Sequence, residues 1–316
     1  MSWKEKSIIP ILSKISPVLL GHRKNSDRVF ILAYHRVLEK KSGFLFDEGV
    51  ISVSPALFEK EIKFCKEYFS PISFGYLKEC MEKKKPLPPN PLIVTFDDGY
   101  RDNYTNAFPV LQKFEVPATI FLTADYINTD KLFWWDEVSY YMKAQGKSEP
   151  DIKNLLRSLK LITDDKRIEA VEDIKKSNKG VSQFSERQAL NWEEVKAMSR
   201  AGIEFGSHTM SHPVLSKVED KHELEYEIRQ SKKIIEEKIE KEVIVFSYPI
   251  GGGDSFSSDI KKEVKDAGYS FAVNYIHGVN IINNGFDRFS LKRLDMDQLS
   301  LDRFKAKLAF PGIFRR

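Results

Sequence analysis

Short, fully apolar runs alternate along this chain with stretches whose apolar residues recur every three or four positions. Residues 29–34 (VFILAY), 92–96 (LIVTF) and 118–123 (ATIFLT) are continuous apolar runs, the pattern of strands buried on both faces. Between the first two, Ser54 and Pro55 supply a cap and a first-turn proline for a helix with Phe58, Ile62, Cys65 and Phe69 on one stripe. Residues 83–91 (KKKPLPPNP) form a stiff connector, and 106–114 read as a helix with Pro109 near its start. Later, Asn191 and Glu194 make a capping-box pattern, Gly202 ends that helix, and 203–205 is a short strand. A helix over about 219–240 carries Leu224, Ile228, Ile235 and Ile239 on one face. A strand at 243–246, a helix bearing Ile260, Val264 and Ala267 that stops at Gly268, and a strand at 269–273 complete the series.

Between about residues 127 and 188 the pattern breaks into Lys-, Glu-, Asp- and Ser-rich helical stretches, read as a helical insertion on the rim of the main domain. Strand–helix alternation with apolar strands predicts a parallel sheet covered by helices. The chain lacks a GxGxxG turn, and Gly251-Gly252-Gly253 has the wrong spacing for one, which favours a closed barrel over a dinucleotide-binding open sheet. The domain plan is an N-terminal segment over 1–26, an α/β domain over 27–300, and a basic C-terminal tail over 301–316.

The composition of the 316 residues excludes disordered, collagen-like and disulfide-scaffold classes: 41% are hydrophobic and 30% charged. The net charge of +4, with no arginine-rich segment, makes no case for nucleic acid. With only Cys65 and Cys80 and no clean export signal, reduced thiols and a cytoplasmic protein are expected. The longest apolar stretch, 8–20 (IIPILSKISPVLL), is too short and too interrupted to span a bilayer. It could rest as an amphipathic segment on the inner membrane face, helped by Lys4, Lys6, Arg315 and Arg316 at the chain ends. No repeat or other feature speaks to oligomeric state.

Candidate chemistry gathers just past strands. Asp97 and Asp98, in TFDDGY, follow the second apolar run. Adjacent carboxylates at a buried strand end need an offsetting charge, and a metal ion is one; a plain Asp-Asp-Gly turn is the other reading. His208 and His212, in SHTMSH, are four positions apart after the strand near 203. Two imidazoles and one carboxylate form a three-ligand set with open positions, the hydrolytic metal pattern, and leave the second Asp free as a base.

TFDDGY followed by HTMSH resembles the polysaccharide deacetylase (NodB-homology carbohydrate esterase) family, as do NWEEVKAMSRAGIEFGSHTMSHP and VFSYPIGG; the similarity covers roughly residues 30–297. It implies a distorted (β/α) barrel of about seven parallel strands. It also implies a divalent cation, most readily Zn²⁺ with Ni²⁺, Co²⁺ or Fe²⁺ as alternatives, and an N- or O-acetylated sugar as substrate. By that resemblance Asp97 is the general base, Asp98, His208 and His212 are the metal ligands, and Ile250 offers the oxyanion-binding N–H. Family members often carry an Arg near the position of Ser247; this chain does not, and Arg293 is the candidate substitute or substrate contact. The family's C-terminal Leu-x-His is also missing. Tyr34-His35-Arg36-Val37 resembles the exopolysaccharide, poly-N-acetylglucosamine-type subgroup, in which an early His is the acid, so His35 is expected in that role, with His277 as the alternative.

Tyr100, Tyr248, Trp134 and Trp135 are expected substrate-wall residues; the tryptophans could instead pack the insertion onto the barrel. The expected partner is an N-acetylated saccharide, either a polymer or a nucleotide- or lipid-linked precursor. Hydrolysis of a small non-sugar amide and an inactive carbohydrate-binding role are the competing readings. The four intact motif residues oppose the inactive role, and the missing Arg is the one feature in its favour.

Overall fold

The structure, a computed structural model, describes residues 3–22, 26–282 and 286–314. Along them run the strands β1 (Arg28–Tyr34), β2 (Arg36–Val37), β3 (Ile51–Val53), β4 (Ser70–Pro71), β5 (Pro91–Phe96), β6 (Ala118–Leu122), β7 (Glu204–Ser207), β8 (Val245–Ser247), β9 (Phe271–His277), β10 (Asn280–Ile281) and β11 (Leu291–Asp295). The α-helices are α1 (Trp3–His22), α2 (Pro55–Tyr68), α3 (Phe74–Glu82), α4 (Phe108–Phe114), α5 (Trp134–Ala144), α6 (Glu149–Leu159), α7 (Asp164–Ser177), α8 (Trp192–Arg200), α9 (Lys221–Ile239), α10 (Ser258–Asp266) and α11 (Leu301–Ala309).

Seven parallel strands close a barrel in the order β1-β11-β9-β8-β7-β6-β5 and back to β1. The seam where β5 meets β1 runs from Phe30 opposite Leu92 to Tyr34 opposite Phe96. The short β4 pairs beside β5, and β10 lies antiparallel on β1. The expected closed barrel is therefore the fold.

The continuous apolar runs have a direct explanation. Side chains alternate across each strand, and both faces are buried here. Val29, Ile31, Ile93, Phe121, Val245, Phe271, Val273 and Leu291 form one core cluster with Phe74 and Leu77 of α3. Phe30, Leu32, Tyr34, Val94, Phe96, Ile120 and Leu122 belong to the second cluster, which includes the surrounding helices. The polar residues Thr95, Asp97, Ser247 and Arg293 continue the first alternation, each two positions beyond an apolar residue of that cluster or its successor.

The capping box at Asn191 and Glu194 is formed, both bonds being present. Ser54 occupies the cap of α2, yet its side chain makes no capping hydrogen bond; Pro55 at the first turn sets the backbone there. Cys65 and Cys80 are free and buried. Residues 127–188 supply α5, α6 and α7 at the barrel rim.

Two features depart from the sequence reading. Residues 301–309 are not a tail: Phe304 and Leu308 of α11 are fully buried, and the Lys307 Nζ lies 2.7 Å from the Asp295 Oδ1. The proline-interrupted segment 8–20 lies within the continuous helix α1, which buries Ile9, Leu12 and Leu20. Ser13 of α1 donates to Asp302 of α11 at 2.7 Å, so the two ends of the chain are joined. Pro17 removes a backbone donor, and Ser16 donates its hydroxyl to the Leu12 carbonyl beside it. The outer face of α1 exposes Ile8, Ile11, Ile15, Val18 and Leu19. Arg315 and Arg316, and the side chains of Lys4 and Lys6, lie outside the described residues. No described helix is long and apolar enough to cross a membrane.

Candidate active site

The C-terminal ends of barrel strands open into one cavity of about 300 Å³, lined among others by His35, Asp97, Asp98, His208, His212 and Arg293. This is the face where strand-end residues of a β/α barrel converge. The loops that deliver them carry a set of left-handed backbones: Asp98 (φ 72°), Thr209 (φ 69°), His212 (φ 64°) and Ile250 (φ 62°). Such angles are costly for residues with a Cβ, most of all for a β-branched one, and persist only where the surroundings hold them. Gly251 follows Ile250 at φ 62°, and a Cβ there would lie 2.5 Å from the Tyr275 backbone nitrogen, so only glycine fits.

Asp97 continues the β5 ladder, its N–H donating to the Tyr34 carbonyl at 2.9 Å. Its carboxylate is clamped by Arg293, with Nη1 to Oδ1 and Nη2 to Oδ2 both 2.8 Å. Arg293 is spread over the interior: it also reaches Thr95 Oγ1 at 3.3 Å, Ser247 Oγ at 3.2 Å and the Asn274 carbonyl at 2.7 Å. Burial pushes the Asp97 carboxyl up, but the charge and hydrogen bonds of Arg293, together with the charges of His208 and His35, outweigh it and hold the group well below the usual carboxylate range.

Asp98 meets the opposite conditions. Burial pushes its carboxyl up to about 7. Its Oδ1 is buried and has no hydrogen-bond partner, while the Nε2 atoms of His208 and His212 each lie 3.5 Å from it. One ligand atom from each of the three residues falls within 4.8 Å of the others. The His208 Nδ1 lies 2.7 Å from the Ser247 carbonyl, so that nitrogen carries the proton and Nε2 presents its lone pair. Burial lowers both imidazoles, His208 to about 4, which keeps them neutral as ligands must be. A partnerless buried carboxylate oxygen facing two imidazole lone pairs fits a divalent cation.

The loop carrying the two histidines is pinned from below by Glu227 of α9, which accepts the Met210 and Ser211 N–H groups and the Ser211 hydroxyl. His35 lies between two acids, Nε2 being 3.8 Å from the Asp97 Oδ2 and Nδ1 3.9 Å from the Asp297 Oδ1. Asp297 is fixed in turn by the Ser52 and Tyr275 hydroxyls.

The other expected site residues divide. Ile250, Tyr248 and Trp135 line the cavity. Trp135 sets its ring 4.6 Å from that of His212. Trp134 is not at the cavity wall: it is buried under Arg167, packing the insertion. Tyr100 is not a wall residue either. It is fully buried behind Trp135, accepting that indole N–H at 2.7 Å and donating to Asp136 at 2.9 Å. Arg293 borders the cavity with 1% of its surface exposed, and its guanidinium is engaged with Asp97. His277 lies away from the cavity, with Nε2 3.0 Å from the Pro311 carbonyl, which removes it as the acid. Sequence reasoning missed Asp297, Glu227 and the buried group of Arg36, Asp102 and Asp136 behind Tyr100. Arg36 sits 2.8 Å from Asp102 and 4.0 Å from Asp136. Asp136 was signalled by the apolar run around it, FWWDEV, whereas Glu227, in the polar run of α9, carried no such signal.

Residues 84–272 match the polysaccharide deacetylase family, and the chain belongs to that family. It is 27% identical over 222 residues to the poly-β-1,6-N-acetyl-D-glucosamine N-deacetylase of Staphylococcus aureus, covering 60% of this chain and 74% of that one. To the Escherichia coli K12 protein of the same description it is 29% identical over 99 residues; the matched stretch covers 31% of this chain and 14% of that relative. Among solved structures, the Streptococcus pyogenes deacetylase PplD in complex with acetate superposes with a TM-score of 0.60 at 17% identity, over 88% of this chain and 97% of that one. IcaB from Ammonifex degensii gives 0.60 at 16% identity, over 90% and 97%. These two likenesses establish the shared barrel fold.

Proposed function

We propose that this chain is a divalent-metal-dependent N-deacetylase of amino sugars in a glycan of the poly-N-acetylglucosamine kind. The observation that carries this reading is the convergence of an ionised, Arg-clamped Asp97 with the partnerless Asp98, His208 and His212 set in one cavity. When bound there, a divalent cation, zinc foremost, supplies Lewis acidity toward a carbonyl oxygen and acidifies water. Asp97 takes the proton of the water that attacks the acetamido carbonyl. Arg293 keeps Asp97 ionised and aims both of its oxygens. The Ile250 N–H, which has no acceptor among the described residues, is available to the oxyanion. Such a donor is typically worth about 3 kcal/mol. His35, steadied by Asp297, delivers a proton to the departing sugar nitrogen, since an amide anion is a poor leaving group. The C–N bond breaks, and acetate and a free amine leave.

The test is acetate release from an N-acetylglucosamine oligomer by zinc-loaded protein, with Asp97→Asn as control. Release that the control lacks is the expected result. Metal uptake without release from any oligomer would favour hydrolysis of a smaller amide.

The exposed stripe on α1 supports a peripheral contact with an anionic membrane face. Five large aliphatics share that face, and no Asp or Glu occurs between residues 7 and 26. Co-sedimentation with phosphatidylserine vesicles, lost in Ile11→Ser/Val18→Ser, is the expected outcome; a protein that stays in the supernatant refutes the contact.

A further inference from the structure

The rim helix α6 and its C-terminal cap turn three cations toward the catalytic cavity. Lys153, Arg157 and Lys160 follow one another at i, i+4 and i+7, a single helix face, and all three line the same space as the triad. None of them forms an ion pair or side-chain hydrogen bond among the described residues. Nearby lysines of the insertion behave differently: Lys143 pairs with Glu149 at 2.6 Å and Lys175 with Glu137 at 3.5 Å.

The carboxylates that face the same cavity have other partners, although Lys160 also feels the charges of Asp47 and Asp98. Asp97 is held by Arg293, and Asp98 belongs to the triad. Asp47 accepts its own Gly49 N–H at 2.8 Å, and Asp297 accepts two hydroxyls. Glu48, next to this rim, is paired with Lys40 at 2.5 Å. A neutral acetylated sugar offers no counter-charge to Lys153 and Arg157, the two that stand on the exposed face of α6. Unpaired cations on the wall of a cleft concentrate anions there and bind them through charge-assisted hydrogen bonds.

Resting on the deacetylase reading of this cavity, we propose that the substrate carries an anionic group, a phosphate or a carboxylate, close to the acetamido unit, and that Lys153, Arg157 and Lys160 form the subsite for it. The insertion thus sets specificity, while the barrel sets the chemistry.

Calorimetric binding tests this without requiring turnover. The probes are N-acetylglucosamine 1-phosphate, a glucuronate–N-acetylglucosamine disaccharide and neutral chitobiose, on the wild-type protein and on Lys153→Gln/Arg157→Gln. At least one anionic probe is expected to bind about tenfold more tightly than the neutral one. That advantage should shrink at high salt and vanish in the double variant. A preference for the first probe assigns phosphate, and for the second a uronate. Equal affinities for charged and neutral probes, or an advantage that survives in the variant, overturn the subsite. Anion preference without acetate release from any sugar would sink the deacetylase reading and leave the subsite standing; release without anion preference would do the reverse.

Discussion

Asp97 and Asp98 are covalent neighbours, both almost fully buried, and the barrel treats them in opposite ways. Asp97 keeps the strand direction and faces a fixed guanidinium inside the lumen. Asp98 turns through a left-handed backbone at φ 72° to face two neutral imidazoles instead. The first is therefore ionised by the protein alone, whereas the second is pushed up to about 7 by burial, and its partnerless Oδ1 belongs to a set of residues that fits a metal. A single change of φ sign at one residue divides an Arg-clamped carboxylate from a candidate metal ligand.

The largest expected effect comes from removing the base. Asp97→Asn should lower acetate release by about 10³-fold or more while metal uptake persists; equal rates in variant and wild type would erase the distinction between the two carboxylates.

Next is the clamp. Arg293→Leu leaves Asp97 buried without its counter-charge, which should cost about 3–5 kcal/mol in chemical denaturation at neutral pH. The same pair predicts a pH dependence. Its folded-state pKa being depressed, Asp97 contributes stability that is fully present above the unfolded value of about 3.9 and is lost as the pH falls below it. Acid titration of the melting temperature should therefore show a flatter loss in the Arg293→Leu protein than in the wild type; parallel curves would contradict the clamp.

A smaller effect concerns the other carboxylate. Zinc at a hundredfold excess over its dissociation constant should stabilise the wild type by about 2.7 kcal/mol, and Asp98→Asn should respond much less. An unchanged response in that variant would place the cation elsewhere.

The smallest is at Ile250, where Ile250→Gly should relieve left-handed strain and shift stability by no more than about 1 kcal/mol. A large destabilisation would mean that the side chain, and not the backbone, holds that loop.

Much of this comparison was legible in the sequence because it rests on local order. The apolar strands were visible because both faces of each are buried, and TFDDGY and SHTMSH stand directly beyond two of them. What escaped depends on distant parts of the chain. The strand Leu291–Asp295 reads LKRLD, too charged for an apolar-run criterion, because Arg293 points into the lumen and Lys292 out to solvent. The N-terminal helix contains two prolines, and its packing against α11, with Ser13 bonded to Asp302, is a long-range feature. Adjacent Trp134 and Trp135 look equivalent in sequence, and a helix start sends one to the cavity and the other to the packing interface. The cations of α6 look like any solvated helix face until the rim is folded over the mouth.

Strand β11 is the last to be synthesised and the one that joins β9 to β1. Arg293 therefore arrives at Asp97 only when the ring is sealed. A chain truncated before residue 291 would hold Asp98, His208 and His212 yet leave Asp97 without its guanidinium, so the pairing at Asp97 is tied to closure of the ring.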